Sequence, residues 1–383
     1  MIRRRTFTAL LAGTVLLAGA GLARAAEDIN IGVFASLTGP AAALGVEVKR
    51  AVALMPTEID GHKINFIVLD DATDPTVAVK TAQRFVSEYK IDAAMGPEVN
   101  ALAAAVVPVM QDSGTPLIVL APYIPPADRA KWVFRSVQNA GTMVSRIVAD
   151  MKERGVKTAA YIGFGDAWGD LLWKEFEADA KEAGIQIVAE ERYARLDTSV
   201  TAQILKLQSK RPDAIFIGAS GTPATLPQIE LAKRGFKGPI YQSHGASTRD
   251  FLRVGGKSVE GTFIPTGPVL VAEQLPDDHP SKAAGVAFNS AYEAAYGPKS
   301  RSTLAGTAWD GWLLLKAALP VALKAGAPGT PEFRTALRDA LENTKDLVGV
   351  HGVYTMTAED HTGLDDRARV LITVKDGDWV LVK

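Results

Sequence analysis

Short apolar runs rich in Val and Ile alternate along this chain with longer runs whose apolar positions recur every three or four residues. The first pattern predicts strands and the second helices. Residues 29–34 read as a strand, and Gly39-Pro40 turns the chain into a helix that continues through Leu54 and stops at Pro56. A strand at 63–69 precedes a helix at 76–89, where Val77, Val79, Ala82, Phe85 and Val86 share one face. A strand at 91–95, a helix at 101–111 and a strand at 116–120 complete this block. The alternation restarts with helices at 141–154, 168–183, 200–209 and 223–234, set among strands at 158–163, 185–189, 213–218 and 239–242.

Such alternation implies parallel sheets wound from right-handed strand-helix-strand units. Two blocks imply an α/β protein with two doubly wound, Rossmann-like lobes. The last third differs: 280–296, 303–325 and 331–343 read as helices, and 349–355, 368–374 and 378–382 as strands. This part is too small for a third α/β domain and is expected to complete the other two.

The N-terminus changes the compartment. Arg3, Arg4 and Arg5 precede an apolar run from Leu10 to Leu22, followed by Ala23-Arg24-Ala25. That is the anatomy of a cleavable signal peptide over 1–25, too short in its apolar run for a membrane span. Arg4-Arg5-Thr6-Phe7 also resembles a twin-arginine export signal. There is no cysteine, so neither a cysteine-linked lipid anchor nor a disulfide is available, and a free periplasmic protein is expected. With the leader's four arginines removed, 38 basic residues face 43 acidic ones, a net charge of −5. Mild acidity argues against a nucleic-acid partner.

Ligands of open α/β sheets bind beyond the carboxyl ends of the strands. The turns there are Ala35-Ser36-Leu37-Thr38-Gly39-Pro40, Gly96-Pro97-Glu98-Val99-Asn100, Ala121-Pro122-Tyr123, Phe164-Gly165-Asp166-Ala167-Trp168-Gly169, Ala219-Ser220-Gly221 and Ser243-His244-Gly245. Most are small, polar and glycine-rich, suited to offering backbone N–H groups at helix N-termini to a carboxylate. Enzyme and cofactor signatures are missing: there is no G-x-S-x-G elbow and no P-loop, and Trp168 stands where a dinucleotide fingerprint needs its third glycine. No cofactor is expected. Asp70, Asp71 and Asp74 lack the spacing and terminal glutamate of a calcium loop, and His351 and His361 lack partners at metal spacing, so no metal is expected.

At these turns the chain resembles the leucine/isoleucine/valine-binding family of type I periplasmic solute-binding proteins. The resemblance is carried by Ser36-Leu37-Thr38-Gly39-Pro40, Gly45, Asp70-Asp71-Ala72-Thr73-Asp74-Pro75, Gly96, Asp166-Ala167-Trp168-Gly169 and Gly235-Phe236-Lys237-Gly238. It implies two lobes joined by a three-stranded hinge, with crossings near 137–140, 264–268 and 346–352. Lobe I then comprises 26–138 plus 267–347, and lobe II 139–266 plus 348–383. It further implies a monomer that closes over a small molecule and delivers it to an inner-membrane ABC permease. The ligand-binding positions it implies are Val99, Asn100 and Ala101, then Ala121, Pro122 and Tyr123, with Leu44 at the cleft floor; across the cleft stand Trp168, Ser220, Gly221 and His244.

In the resemblance, His244 takes the place of the acidic anchor for an amino acid's ammonium. A buried ammonium needs a carboxylate or several acceptors, and His244 is no carboxylate. Glu98 is one, but its position predicts that its backbone faces the ligand. A carboxylic acid without an amine is the better candidate, with Trp168 and Tyr123 favouring an aromatic or apolar body. The tail Asp360-His361-Thr362-Gly363-Leu364-Asp365 with Arg367-Ala368-Arg369 resembles the family branch associated with aromatic acids. Alternatives are an amino-acid receptor, a periplasmic hydrolase using Ser220 or Ser243 with His244, and a sensory receptor. Two plainer roles are also open: Trp168 could join the helix stripe of Leu171, Leu172 and Phe176, and Asn100 could serve as an N-cap.

Overall fold

A computed structural model describes residues 27–382; the leader expected at 1–25 lies outside them. The first sheet contains β1 (Ile29–Ala35), β2 (Glu58–Ile59), β3 (His62–Asp70), β4 (Ala93–Met95), β5 (Leu117–Val119) and β6 (Val133–Arg135), in the spatial order β2-β3-β1-β4-β5-β6. Every pairing from β3 to β6 is parallel. Helices α1 (Ala42–Val52), α2 (Pro75–Ser87) and α3 (Asn100–Asp112) make its crossovers.

The second sheet takes β7 (Thr158–Phe164), β8 (Gln186–Tyr193), β9 (Ala214–Gly218), β10 (Ile240–Gln242) and β11 (Phe263–Thr266) from the middle of the chain. Its order is β15-β14-β11-β10-β9-β7-β8, where β14 (Val370–Lys375) and β15 (Asp378–Leu381) add antiparallel strands from the C-terminus. Helices α4 (Ala140–Glu153), α5 (Ala167–Ala183), α6 (Thr201–Ser209), α7 (Thr225–Lys233) and α8 (Arg249–Gly255) serve this sheet. The fold is thus the expected α/β pair of Rossmann-like lobes. Strands such as β9, Ala-Ile-Phe-Ile-Gly, are buried throughout, because helices on both faces leave a parallel strand no wet side.

The C-terminal third divides as its patterns require. Helices α9 (Lys282–Tyr296), α10 (Thr303–Ala325) and α11 (Pro331–Glu342) join the first lobe. α10 packs on α1 and α11, and α9 is tied to α1 by the Tyr296 hydroxyl on Arg50 O at 2.8 Å and the Tyr292 hydroxyl on Glu47. The run 349–355 is not one strand. It is a hairpin of β12 (Leu347–Val348) and β13 (Val353–Tyr354), closed by Gly349 N–H donating to Gly352 O at 2.8 Å. Arg135 N–H donates to His361 O at 3.0 Å and the His361 ring stacks on Phe134, so the chain is still on the first sheet there. No helix among the described residues is long and apolar enough to cross a membrane.

The crossings converge on one point. Gln138 Nε2 donates to Ala368 O at 2.8 Å, and a β-carbon on Gly267 would stand 1.8 Å from His351 Nδ1 and 2.7 Å from Gln138 Nε2. Only glycine allows that approach. Beneath it Asp310 of α10 is fully buried and accepts from Val350 N–H (2.7 Å), His351 N–H (2.9 Å) and the Tyr354 hydroxyl (2.9 Å). The Tyr354 hydroxyl also lies 2.8 Å from Ser136 O, on the first crossing. Burial pushes Asp310 up to about 7, against the pull of its three donors.

A cation-lined cavity between the lobes

Turns at the carboxyl ends of strands in both sheets face one another across a narrow cavity of about 40 Å³. The first lobe supplies Leu44 from α1, Glu98, Val99 and Asn100 after β4, and Leu120 and Pro122 after β5. The second supplies Trp168 after β7, Arg195 after β8, Ser220 after β9 and His244 with Gly245 after β10. Val137, Gln138 and Gly267 of the crossings close one side with Thr303, Leu304 and Thr307 of α10.

Of the residues expected at the site, Leu44, Val99, Asn100, Pro122, Trp168, Ser220 and His244 therefore meet in one lining. Four do not. Ala101 is exposed, one step round α3 from Asn100. Ala121 is buried in the first lobe's core, and Tyr123 packs against that core from the rim. Gly221 stands beside the lining: its N–H goes to Gly245 O at 2.8 Å, and a β-carbon on it would lie 3.9 Å from Leu44.

Asn100 is the first residue of α3, whose N-cap is Val99; the Asn100 side chain makes no cap bond, and its Oδ1 is buried without a partner. It is therefore not a capping residue. Trp168 belongs both to the second lobe's core and to the cavity wall. Asp166 caps α5 by accepting from Trp168 N–H and Gly169 N–H, fixing where the indole starts. The indole Nε1 is buried without an acceptor, and the ring meets His244 edge to face at 5.2 Å. Burial pushes His244 down to about 4, with His351 adding to the effect, so the ring is neutral at pH 7. Its Nδ1 is buried and unpartnered. The two serines considered as nucleophiles are engaged elsewhere: Ser243 Oγ donates to Ala219 O, and Ser220 Oγ accepts from Arg195.

Among the unforeseen residues of the lining, Arg195 is the charged one. Its Nε donates to Asp166 Oδ2 at 2.6 Å, its Nη1 to Ser220 Oγ at 3.2 Å, and its guanidinium carbon lies 4.1 Å from the Phe164 ring centroid. Stacking and two bonds hold the planar fork in one orientation, which is how arginine recognises carboxylates. The signal was present: Arg195 follows β8, and the rule of strand carboxyl ends finds it once β8 runs to Tyr193 instead of stopping at Ala189. The Glu98 carboxyl is turned inward, Oε1 accepting from Ser36 N–H at 2.7 Å. Burial, then the neighbouring Asp71, push it up to about 8.

Solved structures share this architecture. An extracellular ligand-binding receptor from Rhodopseudomonas palustris HaA2 is 46% identical, with a TM-score of 0.91 over 93% of this chain and 100% of that one. A solute-binding protein of an ABC transporter from R. palustris, in complex with benzoate, is 20% identical with a TM-score of 0.77 over 93% and 95% of the two chains, a likeness of fold. The Leu/Ile/Val-binding protein BraC3 of Rhizobium johnstonii is 27% identical over 365 residues, 92% of each chain. With its two lobes, its three crossings and a match over residues 28–378 to the family model, this chain belongs to the periplasmic binding protein family.

Proposed function

We propose that this chain is the periplasmic substrate-binding component of an ABC importer, and that its cavity captures a small organic acid lacking an amine, with an aromatic or apolar body. The observation that carries this reading is the charge of the lining: Arg195 contributes a fixed cation, and neither nearby acid is free for an ammonium. Asp166 is spent on Arg195, and Glu98 faces Ser36 with its acidity suppressed. In this reading Arg195, Ser220 and His244 take the carboxylate end, and Asn100 and Trp168 present their unpartnered polar atoms from either side. The lobes are 26–138 plus 267–347, extended to 362, and the remainder, closing about the Gly267 junction by a hinge. A benzoate-bound protein of the same fold and a Leu/Ile/Val-binding relative represent the two ligand classes, and the cation in the wall favours the first.

A thermal-shift screen separates them. Benzoate- or cinnamate-type acids at about a hundred times their Kd are expected to raise Tm by about 3–6 °C, whereas leucine, isoleucine and valine leave it unchanged. Stabilisation by the amino acids alone would overturn the reading.

A further inference from the structure

Behind the first lobe's wall, two carboxyl groups converge on one serine. Glu98 Oε1 accepts from Ser36 N–H at 2.7 Å, and Asp71 Oδ1 accepts from Ser36 Oγ at 2.7 Å. Both side chains are buried, and each keeps one oxygen, Glu98 Oε2 and Asp71 Oδ2, with no hydrogen-bond partner. No cation among the described residues is paired with either. Two ionised carboxylates in such a place would carry an uncompensated desolvation cost. We propose that Glu98 and Asp71 hold a single proton between them, and that this proton keeps the first lobe's wall of the cavity receptive to an anion.

The proton rests on Glu98. Asp71 Oδ1 accepts two bonds, from the Ser36 hydroxyl at 2.7 Å and from Thr73 N–H at 3.0 Å, while on Glu98 burial and then the charge of Asp71 outweigh the Ser36 and Glu98 groups that donate to it. Other charged groups bear on the pair. Asp70, on the same turn, is held low despite some burial by the Thr38 hydroxyl and three backbone N–H groups, so it stays ionised. Arg195 faces the pair's wall from the second lobe and favours ionisation, while His244 and His351 are kept neutral by burial. The raised acidity constant of Glu98, about 8, fits a proton retained at pH 7.

Loss of that proton sets a second negative charge beside the bound acid. By reciprocity, a bound anion tightens the proton's hold. This inference rests on the anion reading, so its test has two readouts. The first needs no ligand. Glu98 rises from 4.5 unfolded to about 8 folded, so its stabilising proton is fully present below 4.5 and its contribution falls as pH rises to about 8. The Tm of the wild-type protein is expected to fall across pH 5–8 relative to Glu98→Gln, which lacks this slope. The second is calorimetric titration with benzoate and cinnamate. Wild-type affinity is expected to fall about tenfold between pH 7 and 9.5, the effect of a one-unit shift on binding, and Glu98→Gln to remain level. In Asp71→Asn, which removes the like charge, the loss is expected to move to a different pH window. Identical Tm profiles for wild type and Glu98→Gln overturn the shared proton. A shifted Tm profile with identical affinity profiles overturns its role in binding. If neither acid binds at any pH, the anion reading fails and the Tm profile alone decides the proton.

Discussion

Replacing Arg195 by methionine is expected to weaken binding of a benzoate- or cinnamate-type acid by about 2–4 kcal/mol, roughly 30- to 1,000-fold. The guanidinium lies in the cavity wall, fixed by Asp166, Ser220 and the Phe164 ring. A methionine fills similar volume and keeps contact with Phe164, so the loss reports charge and hydrogen bonds rather than a void. Asp166 keeps its bonds to Trp168 N–H and Gly169 N–H, so α5 stays capped. Arg195→Lys is expected to fall between the two, since an ammonium keeps the charge and loses the planar fork. Isothermal titration of the three proteins with one acid measures the effect. Affinities within threefold of one another would remove Arg195 from the account.

Asp310→Ala is expected to cost about 3–5 kcal/mol of stability, because two buried backbone donors would lose their acceptor together and the Tyr354 hydroxyl one of its two. Val350 N–H and His351 N–H lie in the turn between β12 and β13, and the Tyr354 hydroxyl stands between Asp310 and Ser136 O, so the damage falls where crossings meet. Asp310→Asn keeps one acceptor oxygen and is expected to lose less. Urea denaturation of the three proteins checks the order wild type, Asn, Ala; a loss under about 1 kcal/mol for alanine would contradict the arrangement.

The lobes were legible because buried parallel strands write themselves as unbroken apolar runs, as in β9, and because their helices carry apolar stripes, as in α2. What escaped was local in pattern or distant in sequence. β6 is three residues long, and β2 two, too short for periodicity. β11 contains Pro265, which argues against a strand; it pairs with β10 at a single position and lies chiefly against antiparallel β14. The sequence pattern ends β8 at Ala189 because Glu190, Glu191 and Arg192 follow. β8 is the edge strand of its sheet, where charges are tolerated, and the shortening hid Arg195. Asn100, Trp168, Ser220 and His244 could be found by counting turns after strands. Gln138, Gly267, Thr303 and Thr307 could not, since crossings and the start of α10 bring them to the cavity from far along the chain. The inward turn of Glu98 depends on Ser36, 62 residues away.

The central claim is that the cavity holds an organic acid without an amine. Mass spectrometry of the small molecule released on denaturing protein purified without refolding tests it most directly. A carboxylic acid with an aromatic or apolar body and no amine is expected; leucine, isoleucine, valine or another amino acid in stoichiometric amount would contradict this.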